Sequence, residues 1–269
     1  MCAQQEPTTD RDLAIEVDNV EQDFVDRTGK VVRALDKVSF SVPRGQFLAV
    51  VGPSGCGKTT VLNMLAGLLH PTTGSVRIHG EQVLKPRLDV GYMSARDGLL
   101  PWRTTQHNVA LGLELRGMSR EMRLQHADKL LSLVGLSGFE TAFRSQLSQG
   151  MRQRAAIART LAIDPQVLLM DEPFAALDAQ TKIIIQEQFA KIWENDRKTV
   201  MLVTHDLEEA VALADRVIVF SARPGRIVVD RKVELPRPRN IGAVRFEPGF
   251  RELTRELWDS LRTSIGSLS

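Results

Sequence analysis

An α/β fold built on a parallel sheet is predicted by three observations. Three short runs are apolar throughout: Phe47-Leu48-Ala49-Val50-Val51, Val167-Leu168-Leu169-Met170 and Val200-Met201-Leu202-Val203. A run without polar alternation reads as a strand covered on both faces, the usual setting of strands in a parallel sheet. Each run also ends in residues that carry chemistry, namely a glycine-rich loop, an acidic pair and a histidine. Doubly wound sheets place ligands at the carboxyl ends of their strands.

The first run leads into Gly52-Pro53-Ser54-Gly55-Cys56-Gly57-Lys58-Thr59-Thr60, and then into an apolar helical pattern, Val61 to Ala66, that stops at Gly67. Strand, G-x-x-x-x-G-K-[ST] loop and helix are the context of a phosphate-binding loop. Its glycines let successive backbone N–H groups curl around phosphate oxygens, and the helix N-terminus adds partial positive charge. Lys58 is expected to reach the β- and γ-phosphates and the Thr59 hydroxyl to ligate Mg²⁺. Cys56 reads as a small filler. The implied ligand is a nucleotide phosphate.

Composition narrows the class. With 269 residues the chain has room for one large α/β domain, and 35 Lys+Arg against 33 Asp+Glu leave no basic field to argue for nucleic acid. No run approaches the ~18–20 apolar residues of a membrane span. Residues 1–12 are polar, unlike a signal peptide, and read as disordered. Two cysteines give no disulfide framework, which points to a reducing cytosol.

Before the loop, Ala14–Phe24 and Ala34–Val42 are expected as edge strands joined by a turn over Asp26–Lys30. Phe24 is either an adenine-stacking ring or a core residue. After the first helix, Ser75–Gly80 alternates as a strand. From about residue 95 to 160 helical periodicity takes over, in Val109–Leu115 and in Arg120–Val134, the latter between Ser119 and Gly135 as caps. The last helix of this stretch begins at Leu147-Ser148-Gln149-Gly150 and runs to Ala162, offering a second anion-attracting N-terminus. The second apolar run ends in Asp171-Glu172. Asp171 suits Mg²⁺, and Glu172, pointing differently, suits polarisation of an attacking water. Ala176-Leu177-Asp178 opens the next helix. The third run ends in Thr204-His205-Asp206, with Asp206 and Glu209 at capping-box spacing and His205 at the strand tip as a γ-phosphate sensor. Strands at Arg216–Phe220 and Ile227–Val233 follow, joined through Arg223-Pro224-Gly225. The tail from Phe250 sets Leu253, Leu257, Trp258 and Leu261 on one helical face.

Together these residues resemble the ATP-binding subunit of ATP-binding-cassette (ABC) transporters over about residues 14–235. Walker A is GPSGCGKTT (52–60), the signature LSQGMRQR (147–154), Walker B VLLMDEP (167–173), the D-loop ALD (176–178), and the switch histidine lies in THD (204–206). The resemblance implies a P-loop NTPase of the ABC cassette type: a RecA-like parallel-sheet core, an antiparallel β-subdomain and an α-helical subdomain over about 95–160. The cassette domain is expected over 13–240, with a helical tail over 241–269. It also implies a head-to-tail pair of cassettes, in which Leu147, Ser148, Gln149 and Gly150 face the ATP bound by the partner's Walker A. The roles implied are adenine stacking for Phe24, phosphate and Mg²⁺ contact for Lys58 and Thr59, Mg²⁺ for Asp171, general base for Glu172 and γ-phosphate switch for His205. The implied cofactors are ATP and Mg²⁺, and the implied partners are a second cassette, membrane permease subunits and, indirectly, a binding protein. The place implied is the cytoplasmic side of the membrane.

Two residues depart from the family pattern. Gln149 replaces a glycine of the signature, which would cost on the order of 1 kcal/mol if the position needs positive φ. Ala95 stands where the family has its Q-loop glutamine, in VGYMSARDGLLPWRT (90–104). Alanine cannot ligate Mg²⁺ or hold a water, so that contact is expected to be lost or supplied by Arg96 or Asp97. The segment LLPWRT (99–104) and the stretch SARPGRIVVDRKVELPRPR (221–239) are similar to the nitrate/sulfonate/taurine importer ATPases. Non-transport ABC ATPases carry long coiled-coil insertions or two cassettes per chain, features this sequence lacks. A P-loop small-molecule kinase has no use for LSQG.

Overall fold

The computed structural model describes residues 12–266, so the disorder expected for residues 1–12 falls, Asp12 aside, outside the described residues. β1 (Leu13–Val25) and β2 (Val31–Pro43) pair antiparallel. Their turn is fixed by the Asp26 carboxylate, which accepts hydrogen bonds from the Thr28 amide and hydroxyl and from the Lys30 amide. The all-apolar β3 (Phe47–Val51) leads through the phosphate loop to α1 (Lys58–Leu65). β4 (Thr73–Ile78), β5 (Glu81–Gln82) and β6 (Val90–Met93) follow. Next come α2 (Thr105–Val109), α3 (Leu111–Leu115), α4 (Arg120–Leu133) and α5 (Gln149–Ala162). The chain then alternates through β7 (Val167–Asp171), α6 (Ala179–Asp196), β8 (Thr199–Thr204) and α7 (Leu207–Leu213). It ends in the hairpin β9 (Arg216–Phe220) and β10 (Ile227–Lys232), then α8 (Ile241–Val244) and α9 (Pro248–Gly266).

The strands form two sheets. The smaller is antiparallel, in the order β2-β1-β4-β5. The larger runs β10-β9-β3-β8-β7-β6, parallel from β9 to β6, with β10 antiparallel at its edge. Period-two alternation along β3 explains how both faces of the larger sheet are covered. Phe47, Ala49 and Val51 point into a core shared with α5, α6 and α7, where Phe47 meets Phe189 and Trp193 edge to face. Leu48 and Val50 point into a second core with α1 and the antiparallel sheet. β7 and β8 divide in the same way, with Leu168, Met170, Val200 and Leu202 on one side and Val167, Leu169, Met201 and Val203 on the other.

Three expectations are corrected. β1 is not an edge strand but lies between β2 and β4, using both of its backbone edges; β2 is the edge. The helix expected over Val109–Leu115 is two short helices that meet at Ala110, and the first starts earlier because Thr104 caps it by accepting from the His107 amide. On the tail, Leu257 is buried and Leu253 and Leu261 pack on the core, but Trp258 is exposed. Residues 253, 257 and 261 fall four apart on one stripe, and position 258 turns out of it.

Arg239 ties the C-terminal segment to the core. Its guanidinium is buried and donates to the carbonyls of Val211, Ala212, Ala214, Val233 and Leu235, joining the end of α7 to the segment that follows β10. Burial, with Arg237 nearby, pushes its pKa down to about 10. Arg239→Met leaves those carbonyls without a donor, and the expected cost is about 3 kcal/mol, or roughly 6–12 °C in Tm. A thermal melt that moves by less than about 2 °C would show that water satisfies them as well.

Candidate functional site

The phosphate loop is shaped by what lies behind it. Gly57, at φ 100°, is the N-cap of α1; a Cβ there would be strained and would come within 2.4 Å of Leu35 Cδ2, forcing that buried side chain to move. Lys58 is buried, and its ammonium donates to the carbonyl oxygens of Gly52 at 2.7 Å and Pro53 at 2.9 Å. Cys56 is buried with Sγ 3.8 Å from Lys58 Nζ, and burial pushes its thiol pKa up. The Thr59 hydroxyl donates to Asp171 Oδ2 at 2.9 Å, which joins the start of α1 to the tip of β7 across 112 residues. Burial raises the Asp171 pKa against the pull of that hydrogen bond, and the neighbouring Glu172 charge pushes the same way as burial.

Glu172 leaves the strand in the left-handed region, at φ 48°, a conformation that costs a side-chain-bearing residue on the order of 1 kcal/mol. Its amide still donates to the Val203 carbonyl of β8, and the Gln153 amide group reaches its carbonyl from α5. The twist turns its carboxylate towards β8, where Oε1 lies 3.1 Å from His205 Nδ1. His205 is 61% exposed by its side chain, at the same edge of the sheet. Asp178 caps α6 by accepting from the Thr181 amide, and this bond holds its carboxyl below the usual range.

Phe24, 42% exposed, faces an open cleft of about 370 Å³ over the phosphate loop, lined also by Val25, Gly55, Lys58, Thr59 and Thr60. Leu147 is buried, but Ser148 and Gln149 are exposed and form no part of that lining. Ser148 caps α5 by accepting from the Met151 amide at 3.2 Å. Gln149 is the first residue of α5 and is not among the residues at positive φ, so the strain feared for it does not arise. Gly150 faces Leu177 and the Ala176 carbonyl of the D-loop.

Two networks were not legible beforehand. Asp97 is engaged by Arg144 at 2.9 and 3.0 Å and Arg152 at 3.4 Å, while Arg159 donates to the carbonyls of Asp97 and Gly98. Burial alone would raise the Asp97 pKa, but Arg144, the Leu99 amide and Arg152 hold it below the usual range. Asp97 is therefore latched to α5 and is not free to replace the missing glutamine, whereas Ala95 and Arg96 are exposed. Asp206 caps α7 by accepting from the Glu209 amide, but the reciprocal half of the expected capping box is absent. The Glu209 carboxylate is buried instead, 2.7 Å from Lys182 Nζ and 3.0 Å from Gln186 Nε2, and Lys182 also binds Asp206 at 2.7 Å. The sequence signal for both networks was faint: like and unlike charges spaced dozens of residues apart.

Asn108 explains the fixed corner of LLPWRT. Its side chain donates to the carbonyls of Leu100, Arg103 and Thr104 and accepts from the Leu100 amide, which leaves Trp102 71% exposed.

A family model described as ABC transporter matches residues 35–175. The chain belongs to the ABC transporter family. It is an ATP-binding cassette with ATPase activity. Among its relatives, an uncharacterised ABC transporter ATP-binding protein, MJ0412 of Methanocaldococcus jannaschii, is 47% identical over 253 residues, 94% of each chain. The taurine import ATP-binding protein TauB of Rhizobium johnstonii is 43% identical over 247 residues, 90% of this chain and 94% of that one. Among solved structures, the ATP-binding cassette MJ0796, dimeric in a post-hydrolysis state bound to ADP and phosphate, superposes with a TM-score of 0.76. It is 32% identical and covers 82% of this chain and 100% of its own. Among the described residues no helix is long and apolar enough to cross a membrane.

Proposed function

We propose that this cassette is the ATP-hydrolysing subunit of an importer for a small sulfonate or related anion, of the taurine, nitrate and sulfonate group. It works as a head-to-tail pair beneath a membrane permease, on the cytoplasmic side, and is served by an external binding protein. The observation that carries the paired arrangement is the exposed, Ser148-capped N-terminus of α5, which lies outside the cleft of its own chain. A helix start with exposed polar residues is suited to a γ-phosphate held by another copy, and the dimeric neighbour supports it. The importer reading is supported by likeness to TauB across most of both chains.

The chemistry follows from the loops at the strand ends. Phe24 offers a ring to the adenine. The amides from Gly55 to Thr60 and the α1 N-terminus receive the phosphates, and Lys58 exchanges loop carbonyls for phosphate oxygens. Thr59 and Asp171 form a hard-oxygen pair, 2.9 Å apart, of the kind Mg²⁺ prefers. A bound Mg²⁺ would neutralise charge on the β- and γ-oxygens. Glu172 accepts the proton of the water that attacks the γ-phosphorus, while His205, whose Nδ1 lies 3.1 Å from Glu172 Oε1, senses the γ-phosphate. Ser148 and Gly150 of the partner subunit close the site from the far side. Fixed donors around the transferring group supply most of the rate. The exposed Trp102 corner and the 94–99 loop receive the permease.

Gentle-detergent purification of the tagged chain from native membranes tests the role. Recovery of a multi-span permease in comparable amount, with ATP turnover raised by a taurine-loaded binding protein, is the expected outcome. Recovery of soluble or nucleic-acid-bound partners alone would contradict it. The Q-loop departure has its own test. Ala95→Gln restores one hydrogen bond near the reacting groups, and coupled ATP turnover is expected to rise about three- to tenfold. Unchanged rate and coupling would show that the contact is dispensable in this cassette.

A further inference from the structure

The turn between β9 and β10 presses directly on the phosphate loop. A Cβ on Gly225 would lie 2.0 Å from the Cys56 carbonyl oxygen, so only glycine allows the two loops to touch. The turn is also held from other sides. The Gly225 amide donates to the Ala34 carbonyl, the Asp36 amide donates to the Gly225 carbonyl, and the Ser221 hydroxyl donates to the carbonyls of Ala222 and Pro224. Arg226 is paired with Asp36.

Arg223, two residues before that glycine, is used differently. Its Nε and one Nη2 proton donate to the Gly55 carbonyl, at 3.2 and 3.1 Å, so the guanidinium lies along the outer rim of the phosphate loop. A guanidinium has five N–H donors, and three remain unengaged. Among the described residues no carboxylate pairs with it. It is exposed and forms part of the wall of the cleft that Phe24, Lys58 and Thr60 line. Asp26, which lines the same cleft, accepts from Thr28 and Lys30 through Oδ1 and forms no ion pair with Arg223. The cleft thus holds two cations of different standing: Lys58, buried among loop carbonyls, and Arg223, preorganised at the rim with free donors.

We propose that Arg223 is a further nucleotide-binding residue, which uses its free guanidinium donors on the phosphates of ATP from outside the loop. Guanidinium and phosphate oxygens match in charge and geometry, and the turn removes most of the ordering cost of the contact. The inference rests on nucleotide binding at this loop, so wild-type affinity is measured first.

The experiment measures affinities of the full-length chain for ATP, ADP and AMP by displacement of a fluorescent nucleotide, with Lys58→Ala as the loop-dead control. Arg223→Gln and Arg223→Lys are compared, and each is melted without nucleotide. Arg223→Gln is expected to weaken ATP about fivefold and ADP by less, to leave AMP unchanged, and to keep its Tm. Arg223→Lys, which keeps the charge but not the fork held on the Gly55 carbonyl, should recover only part of the ATP affinity, and added salt should narrow the gap between wild type and Arg223→Gln. Three results would overturn the proposal: unchanged ATP affinity in Arg223→Gln; equal weakening of all three nucleotides and of adenosine, added as a fourth competitor, which places the contact on the nucleoside; or weakening matched by a fall in Tm that lysine does not rescue, which makes Arg223 a brace for the loop. Failure of the wild type to bind ATP would instead overturn the reading of the site itself.

Discussion

Everything at the functional edge depends on three parallel strands that cannot slip. β3, β7 and β8 are buried on both faces, so a one-residue shift would exchange the side chains that meet α5 and α6 for those that meet α1 and the antiparallel sheet. Phe47 would leave the aromatic group with Phe189 and Trp193. With register locked, the phosphate loop, Asp171-Glu172 and His205 all emerge at one edge. The Thr59–Asp171 and Glu172–His205 contacts follow from that alignment.

Around this edge the chain uses ion pairs to tie distant segments together. Asp97 and the carbonyls beside it are held by Arg144, Arg152 and Arg159, so the segment before LLPWRT is fastened to the helix that begins with the signature. Lys182 joins the helix after the D-loop to the residues after His205 through Asp206 and Glu209. Each tie is partly or wholly withdrawn from water, where loss of one partner costs more than the pair contributes. The two ties join these loops in pairs.

How much of this was legible in the sequence depended on how local the physics was. The phosphate loop, the buried strands, the cap at Ser119 and the helix start at Ser148 rest on neighbouring residues, and all were read in place. The position of β1 inside its sheet was not legible, because partner count is a property of β4, some 50 residues on, and not of β1. Trp258 was misplaced because a hydrophobic residue one step off the stripe looks the same as one on it until the helix is docked. Gln149 was judged by its departure from a pattern, whereas its backbone sits in ordinary helical space. Asp97, Glu209 and Arg223 have their meaning in partners far along the chain, which spacing alone does not show.

The central claim is that each ATP is enclosed by the phosphate loop of one chain and the α5 N-terminus of another. Sedimentation of Glu172→Gln with Mg²⁺ and ATP tests this most directly, because slowing hydrolysis holds the closed pair. A dimer that forms with ATP, and that Ser148→Arg abolishes while ATP still binds, is expected. A species that stays monomeric at saturating ATP, or a dimer indifferent to Ser148→Arg, would contradict the shared site.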